Sequence, residues 1–166
     1  MLAKIDVRLS IMACKWAPSC KKFALAACPS SLIVGYYNVE VACWTALAKE
    51  KIVSVPITSI DFHPSCNIIA LGSIDGSVKI VSCSFKSQTD KLIIDSKVED
   101  FPYSGPFEKV TSFGEVLYSI DNILPNMKIW INHVSFENNG KNFLVLTHSN
   151  HNKFYDVKEG DNILVN

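Results

Sequence analysis

A chain of 166 residues is long enough for one substantial domain, which when compact buries ~70% of the surface its unfolded form exposes. Its 16 basic and 16 acidic side chains cancel, so it lacks the cationic excess on which nonspecific nucleic-acid or anionic-membrane binding depends. Several of its six cysteines sit at strand positions among apolar neighbours, behind a start, Met1-Leu2-Ala3-Lys4, with no apolar leader, so they read as reduced thiols of an intracellular protein. No apolar run approaches the ~20 residues of a membrane span.

Taken in order, Ala3–Leu9 alternates Ile5, Val7 and Leu9 against Lys4, Asp6 and Arg8, the period-2 signature of a strand. Ile11–Trp16 is a second strand, ended by Ala17-Pro18-Ser19, and Lys22–Cys28 and Leu32–Tyr37 follow it, separated by Pro29-Ser30-Ser31. Val39–Thr45 is expected to be the outer strand of this unit, with Trp44 half exposed, and Ala46–Lys51 a short link. From Pro56 the pattern repeats more clearly. Thr58, Ile60 and Phe62 share a strand face, His63-Pro64-Ser65 breaks the strand, and Ile68–Ser73 is apolar throughout. Asp75-Gly76 supplies a turn before Val78 and Ile80. Lys91–Asp95 is expected to be the outer strand.

The segment 96–128 changes character. Pro102, Gly105, Pro106, Gly114 and Pro125 rule out a long regular element, while Phe101, Tyr103, Phe107, Phe113 and Tyr118 argue that it packs onto the body of the domain. A third unit follows: Ile129–Phe136, a turn at Asn138-Asn139-Gly140, Phe143–Thr147, Lys153–Val157 and Asn162–Asn166.

Superposing the chain on itself shows that these units are repeats. A shift of 46 residues lays Ile60, Phe62, Ile69, Leu71 and Ile80 on Cys14, Trp16, Phe23, Leu25 and Val34. A shift of 74 lays the same five on Val134, Phe136, Phe143, Val145 and Phe154. The first interval is close to the roughly 40–45 residues of a propeller blade, and the second is longer because 96–128 is inserted. The expected fold is therefore all-β: three four-stranded propeller blades in an open arc, with repeats about 11–45, 57–95 and 130–166 in one domain spanning 1–166. Ala3–Leu9 would be the orphan outer strand of a further blade. Trp16, Phe62 and Phe136 are expected to be equivalent core positions.

Catalytic readings find no foothold. There is no GxSxG, Walker loop, HExxH or GxGxxG. His148 and His151 are spaced as H-x-x-H without the further ligands a structural zinc needs, and Cys66 with His63 flanks a proline with nothing to orient the imidazole. No catalytic residue, cofactor or metal is expected. Asp75 is expected to accept hydrogen bonds within its own turn.

The units resemble WD40 repeats, although none carries a Trp-Asp dipeptide. Cys14-Lys15-Trp16-Ala17-Pro18, Ile60-Asp61-Phe62-His63-Pro64, Ala70-Leu71-Gly72-Ser73, Phe113-Gly114-Glu115, Trp130-Ile131 and Thr147-His148 together, in order and spacing, resemble the family of WD-repeat subunits of the actin-related-protein 2/3 complex. The resemblance runs from about Ile5 to Val157 and matches the middle of a seven-bladed propeller. It lacks the late-blade insertion through which that family meets nucleation-promoting factors. It implies a non-catalytic scaffold on the cytoplasmic actin cytoskeleton, with the nucleus left open. The implied partners are actin-related proteins, the other subunits and the actin filament, with no nucleic acid, membrane span or small-molecule substrate. A generic WD40 adaptor in a ubiquitin-ligase, chromatin or trafficking assembly is the alternative. Loops on a rigid scaffold carry function, so the expected contact residues are Phe101, Tyr103, Phe107, Phe113, Gly114, Glu115 and Trp130.

Overall fold

The structure is a computed structural model that describes residues 7–38, 41–86, 92–93, 112–121, 123, 128–149, 153–156 and 162–163. Alternating apolar sequence closed by Pro, Asn and Gly turns gives meandering antiparallel sheets. The first sheet is β1 (Ile11–Trp16), β2 (Lys22–Ala27), β3 (Ser31–Asn38) and β4 (Cys43–Lys49), in chain order. The second contains β5 (Ile57–Phe62), β6 (Ile68–Ser73) and β7 (Val78–Ser82). A two-stranded ribbon, β8 (Phe85–Lys86) with β9 (Leu92–Ile93), comes next, and β10 (Val116–Ile120) then returns to pair with β7. The third sheet is β11 (Ile131–Phe136), β12 (Asn142–Thr147), β13 (Lys153–Asp156) and β14 (Asn162–Ile163). The described residues form no helix, and hence none long and apolar enough to cross a membrane.

Three local features recur at the same offsets. Trp16 pairs with Phe23, Phe62 with Ile69 and Phe136 with Phe143. A bulge follows Ile11, Ile57 and Ile131, one residue into each inner strand. Each first turn closes through a left-handed residue: Cys20 (φ 58°), Cys66 (φ 62°) and Gly140 (φ 72°). Their amides donate to Ala17 O, His63 O and Glu137 O at 2.8–2.9 Å. The sheets are blades of a partial propeller of the WD40 type. A side chain in the left-handed region is disfavoured by about 1 kcal/mol, so Cys20→Gly, at an exposed turn, is expected to raise stability by up to ~1 kcal/mol in chemical denaturation.

Several expectations need correction. The outer strand of the first sheet is Cys43–Lys49, not Val39–Thr45, because β3 runs to Asn38 and pairs along its whole length, from Asn38 with Cys43 to Leu32 with Lys49. The segment Ala46–Lys49, expected as a link, is therefore strand; pairing overrides the weak strand preference of its alanines. The outer strand of the second sheet is Val116–Ile120, inside the expected insertion, while Leu92–Ile93 pairs with Phe85–Lys86. The insertion is spliced between the third and fourth strands of one blade rather than between blades. Of Ala3–Leu9, residues 7–9 carry no ladder and the rest lies outside the described residues.

Finally, Phe62 and Phe136 are buried at 3% and 8% exposure, but Trp16 is 57% exposed. The phase is right and the environment differs. Phe62 lies in a core shared with Ala24, Ala26, Leu32 and Val34 of the first sheet, and Phe136 in one shared with Ile68, Ala70, Val78 and Ile80 of the second. Each points at the preceding sheet, and no strand among the described residues precedes the first.

Candidate interaction surface

The inner strands lock the sheets together through side chains that hydrogen-bond to the neighbouring main chain. Phe136 N donates to Asp61 Oδ2 at 2.7 Å, and Val134 N to Ser59 Oγ at 3.0 Å. The Thr58 hydroxyl reaches Ile131 O at 2.5 Å. Lys15 Nζ sits 3.1 Å from Asp61 Oδ1, so one buried carboxylate ties three consecutive inner strands. Ser59, His133 and Asp61 are the residue types of a hydrolytic triad, and Ser59 Oγ lies 3.4 Å from His133 Nδ1. The arrangement does not support that chemistry. Asp61 is committed to Phe136 and Lys15 instead of the imidazole, and the Ser59 oxygen already accepts an amide.

Between the first and second sheets lies Lys22, fully buried, with its ammonium 3.2 Å from Cys66 O, 3.3 Å from Asn67 Oδ1 and 3.5 Å from Cys83 O. It also sits 5.3 Å above the Phe85 ring. Burial pushes the Cys83 thiol well up, against the opposing charge of Lys22, which makes this thiol a packing group and not a nucleophile.

His63 is buried as well. Its Nδ1 accepts the Ser65 amide at 3.1 Å, so Nε2 carries the proton and donates to Gly140 O at 3.1 Å. Its ring meets Phe136 edge-on at 5.2 Å. Burial lowers its pKa below 6.5, outweighing the raising effect of the Gly140 bond. Sign follows from linkage: between the folded value and 6.5 the unfolded chain binds more protons, so His63's contribution is complete above 6.5 and is lost as pH falls through the folded value. Stability is expected to drop as pH falls below 6.5 in denaturant titrations, and His63→Gln, which cannot titrate, should flatten that limb. Burial works to raise the Asp75 carboxyl, but hydrogen bonds from Ser77 and Ser73 outweigh it and hold the group below the ordinary carboxylate range. Asp75 thus takes the turn role expected of it, accepting the Ser77 amide at 3.0 Å.

The expected contact residues separate into two places. Phe101, Tyr103 and Phe107 lie outside the described residues. Phe113 is half-buried at the outer rim, stacked on Phe85 at 5.5 Å, which stacks in turn on Tyr36 at 4.4 Å. Gly114 (φ 79°) leads into β10 with its amide on Ser82 O, and its missing Cβ leaves room for the Lys49 stem on the first sheet. Glu115 is exposed beside it. Trp130, 49% exposed, precedes β11 on the third sheet. Its amide donates to His148 Nδ1 at 3.1 Å, its indole N–H donates to Asn132 Oδ1 at 3.0 Å, and its ring stacks on His148 at 4.0 Å. A half-exposed Trp held by two hydrogen bonds and a stacking partner has little side-chain entropy left to lose.

The contact residues named from sequence leave out a second apolar surface. On the outer face of the first sheet Trp16, Phe23, Trp44 and Tyr37 form one cluster, with ring centroids 5.4–5.8 Å apart. The signal was present in the repeat phase, which places Trp16 on the face that meets a preceding blade. Among the described residues no group of three His, Cys, Asp or Glu side chains converges as metal ligands would.

No family model matches the chain. Over 134 residues, 81% of this chain, it is 25% identical to the actin-related protein 2/3 complex subunit 1A-B of Xenopus laevis, covering 33% of that relative. It is 29% identical over 107 residues, 64% of the chain, to subunit 1A of Arabidopsis thaliana, covering 26% of it. A second Xenopus laevis form, subunit 1B-A, is 24% identical over 127 residues, 76% of the chain and 31% of the relative. The chain is thus similar to subunit 1 proteins at 24–29% identity. It spans between a quarter and a third of the length of the curated relatives it matches.

Proposed function

We propose that this chain is a non-catalytic WD40 scaffold of an actin-related-protein 2/3 complex, supporting nucleation and branching of actin filaments in the cytoplasm. The observation that carries the reading is similarity to subunit 1 proteins of a vertebrate and a plant, over as much as 81% of the chain. The three interlocked sheets suit the role, because a rigid body holds its loops in fixed relative positions. Its partners on this reading are the actin-related proteins, the remaining subunits and the filament. Phe101, Tyr103, Phe107, Phe113, Gly114, Glu115 and Trp130 form the contact group, and the exposure of Glu115 and the braced ring of Trp130 support the last two most directly.

The test is affinity purification of the tagged protein from its own cells, with co-purifying chains identified by mass spectrometry. Actin-related proteins at fixed stoichiometry are expected, and Trp130→Ala should reduce their recovery without loss of folding. Reproducible recovery of an unrelated assembly would replace this reading with that of a generic WD40 adaptor.

A further inference from the structure

The turn between β5 and β6, His63-Pro64-Ser65-Cys66-Asn67, touches both neighbouring sheets at once. Toward the third sheet, His63 Nε2 donates to Gly140 O at 3.1 Å, and a Cβ on Gly140 would run into the imidazole. Toward the first, the Lys22 ammonium donates to Cys66 O at 3.2 Å and to Asn67 Oδ1 at 3.3 Å. Ser65 connects the two contacts. Its amide donates to His63 Nδ1 at 3.1 Å, its hydroxyl lies 2.8 Å from the same nitrogen, and its oxygen accepts the Asn67 amide at 3.5 Å. Cys66, in the left-handed region, returns its amide to His63 O at 2.8 Å. His63, Ser65, Cys66 and Asn67 are each 4% exposed or less, so solvent gives this turn little slack.

A proton added at Nδ1 turns that atom from acceptor to donor. The Ser65 hydroxyl can rotate to receive it. The Ser65 amide has no such freedom and is left facing a donor away from water, which costs as much as a lost hydrogen bond. Relief comes from a shift of Ser65, and such a shift carries Cys66 O and Asn67 Oδ1 with it, away from Lys22. The charged groups around the imidazole are engaged elsewhere. Asp61 of β5 holds Phe136 N and Lys15, and Glu137 of the β11–β12 turn accepts the Asn142 side-chain amide at 2.7 Å. Lys141 follows Gly140 in the chain, and Lys22 approaches the turn from the side of the first sheet.

We propose that this turn is a two-sided clamp, so that protonation of His63 loosens the first and third sheets from the second together. The clamp is independent of the proposed function. Coupling of this kind is reciprocal: whatever weakens the hold on Lys22 makes His63 easier to protonate.

Thiol labelling with a dithiodipyridine, resolved by peptide mass, tests the clamp on the purified protein as pH is lowered through 6.5. Cys83, fully buried in the first core, reports the first seam. A Val145→Cys variant, at an equally buried place in the second core, reports the second. Exposed Cys20 is the reference. Below 6.5 both rates relative to Cys20 are expected to rise together, by up to about tenfold per pH unit, as uptake of one proton requires. Both are expected to stay level in His63→Gln. Their urea dependence should be smaller than that of global unfolding, whose slope reflects all the surface exposed. A rise at Val145→Cys with Cys83 unchanged would leave a one-sided latch and overturn the proposal. So would no rise at either site, an equal rise in His63→Gln, or a urea slope matching global unfolding. Should His63→Gln not fold, the NMR titration of the His63 ring in Asn67→Ala decides, because that variant removes an acceptor of Lys22 and no charge. Reciprocity requires the midpoint to move toward 6.5, and an unmoved midpoint overturns the clamp.

Discussion

Replacing Asp61 by alanine is expected to destabilise the folded chain by about 3 kcal/mol, while asparagine at the same place costs only about 1 kcal/mol. The difference lies in what each substitution leaves behind. Phe136 N–H donates to Asp61 Oδ2 at 2.7 Å in a site where both residues are buried. Alanine removes the acceptor and strands a main-chain donor away from water, a loss of about 1–3 kcal/mol before packing is counted. Asparagine retains an oxygen in the same position and forfeits the charge. The ion pair with Lys15 contributes little, because the lysine side chain is 46% exposed and screened pairs of that kind are worth ~1 kcal/mol or less. Lys15→Ala should therefore be nearly silent in guanidinium unfolding where Asp61→Ala is not. Equal costs for the two would show that the ion pair, rather than the amide, holds the seam.

That carboxylate marks the limit of what the sequence discloses. Alternation and self-superposition place Ile60, Phe62, Ile69 and Leu71 on one face, and the three strand pairs set by that phase recur in the structure. Apolar period is a local property, so it survives without knowledge of neighbours. Asp61 reads in sequence as a solvent-side residue of the strand, because nothing local says that a second inner strand will bring the Phe136 amide to it across 75 positions. Trp16 fails in the opposite sense: its phase is that of a core residue, and its exposure depends on which sheet stands before it. Outer strands were the least legible. Val116–Ile120 follows a long insertion, so only the pairing edge of β7 identifies it as the fourth strand. In the contact group, Trp130 was legible as an aromatic at the start of a strand. The His148 contact that braces it joins residues 18 apart and arises from the pairing of β11 with β12, which the H-x-x-H spacing of His148 and His151 did not disclose.

The other large effect concerns Gly72, whose importance is invisible in any turn signal. It does not appear among the residues of positive φ, so conformational freedom is not the reason for glycine here. Space is. A Cβ at this position would stand 2.9 Å from Ile131 Cβ and 3.2 Å from Val134 Cγ1, and Ile131 and Val134 are both fully buried. Neither neighbour is a flexible chain end, so the added carbon must push the third sheet off the second. Gly72→Ala is expected to cost about 2 kcal/mol and Gly72→Val about 3 kcal/mol or more, within or above the usual range for overpacking. Ile131→Ala alone should also destabilise, by about 2–4 kcal/mol through the cavity it opens. Combined with Gly72→Ala it should cost less than the sum, with a coupling energy of about 1–2 kcal/mol, because the new methyl enters the space the isoleucine vacates. Additive costs would mean that the two sheets are not seated on each other at Gly72. The same contact bears on function. Ile131 follows Trp130 directly, so a third sheet displaced at Gly72 carries the braced indole with it. Gly72→Val should then weaken partner recovery even under conditions where the chain remains folded.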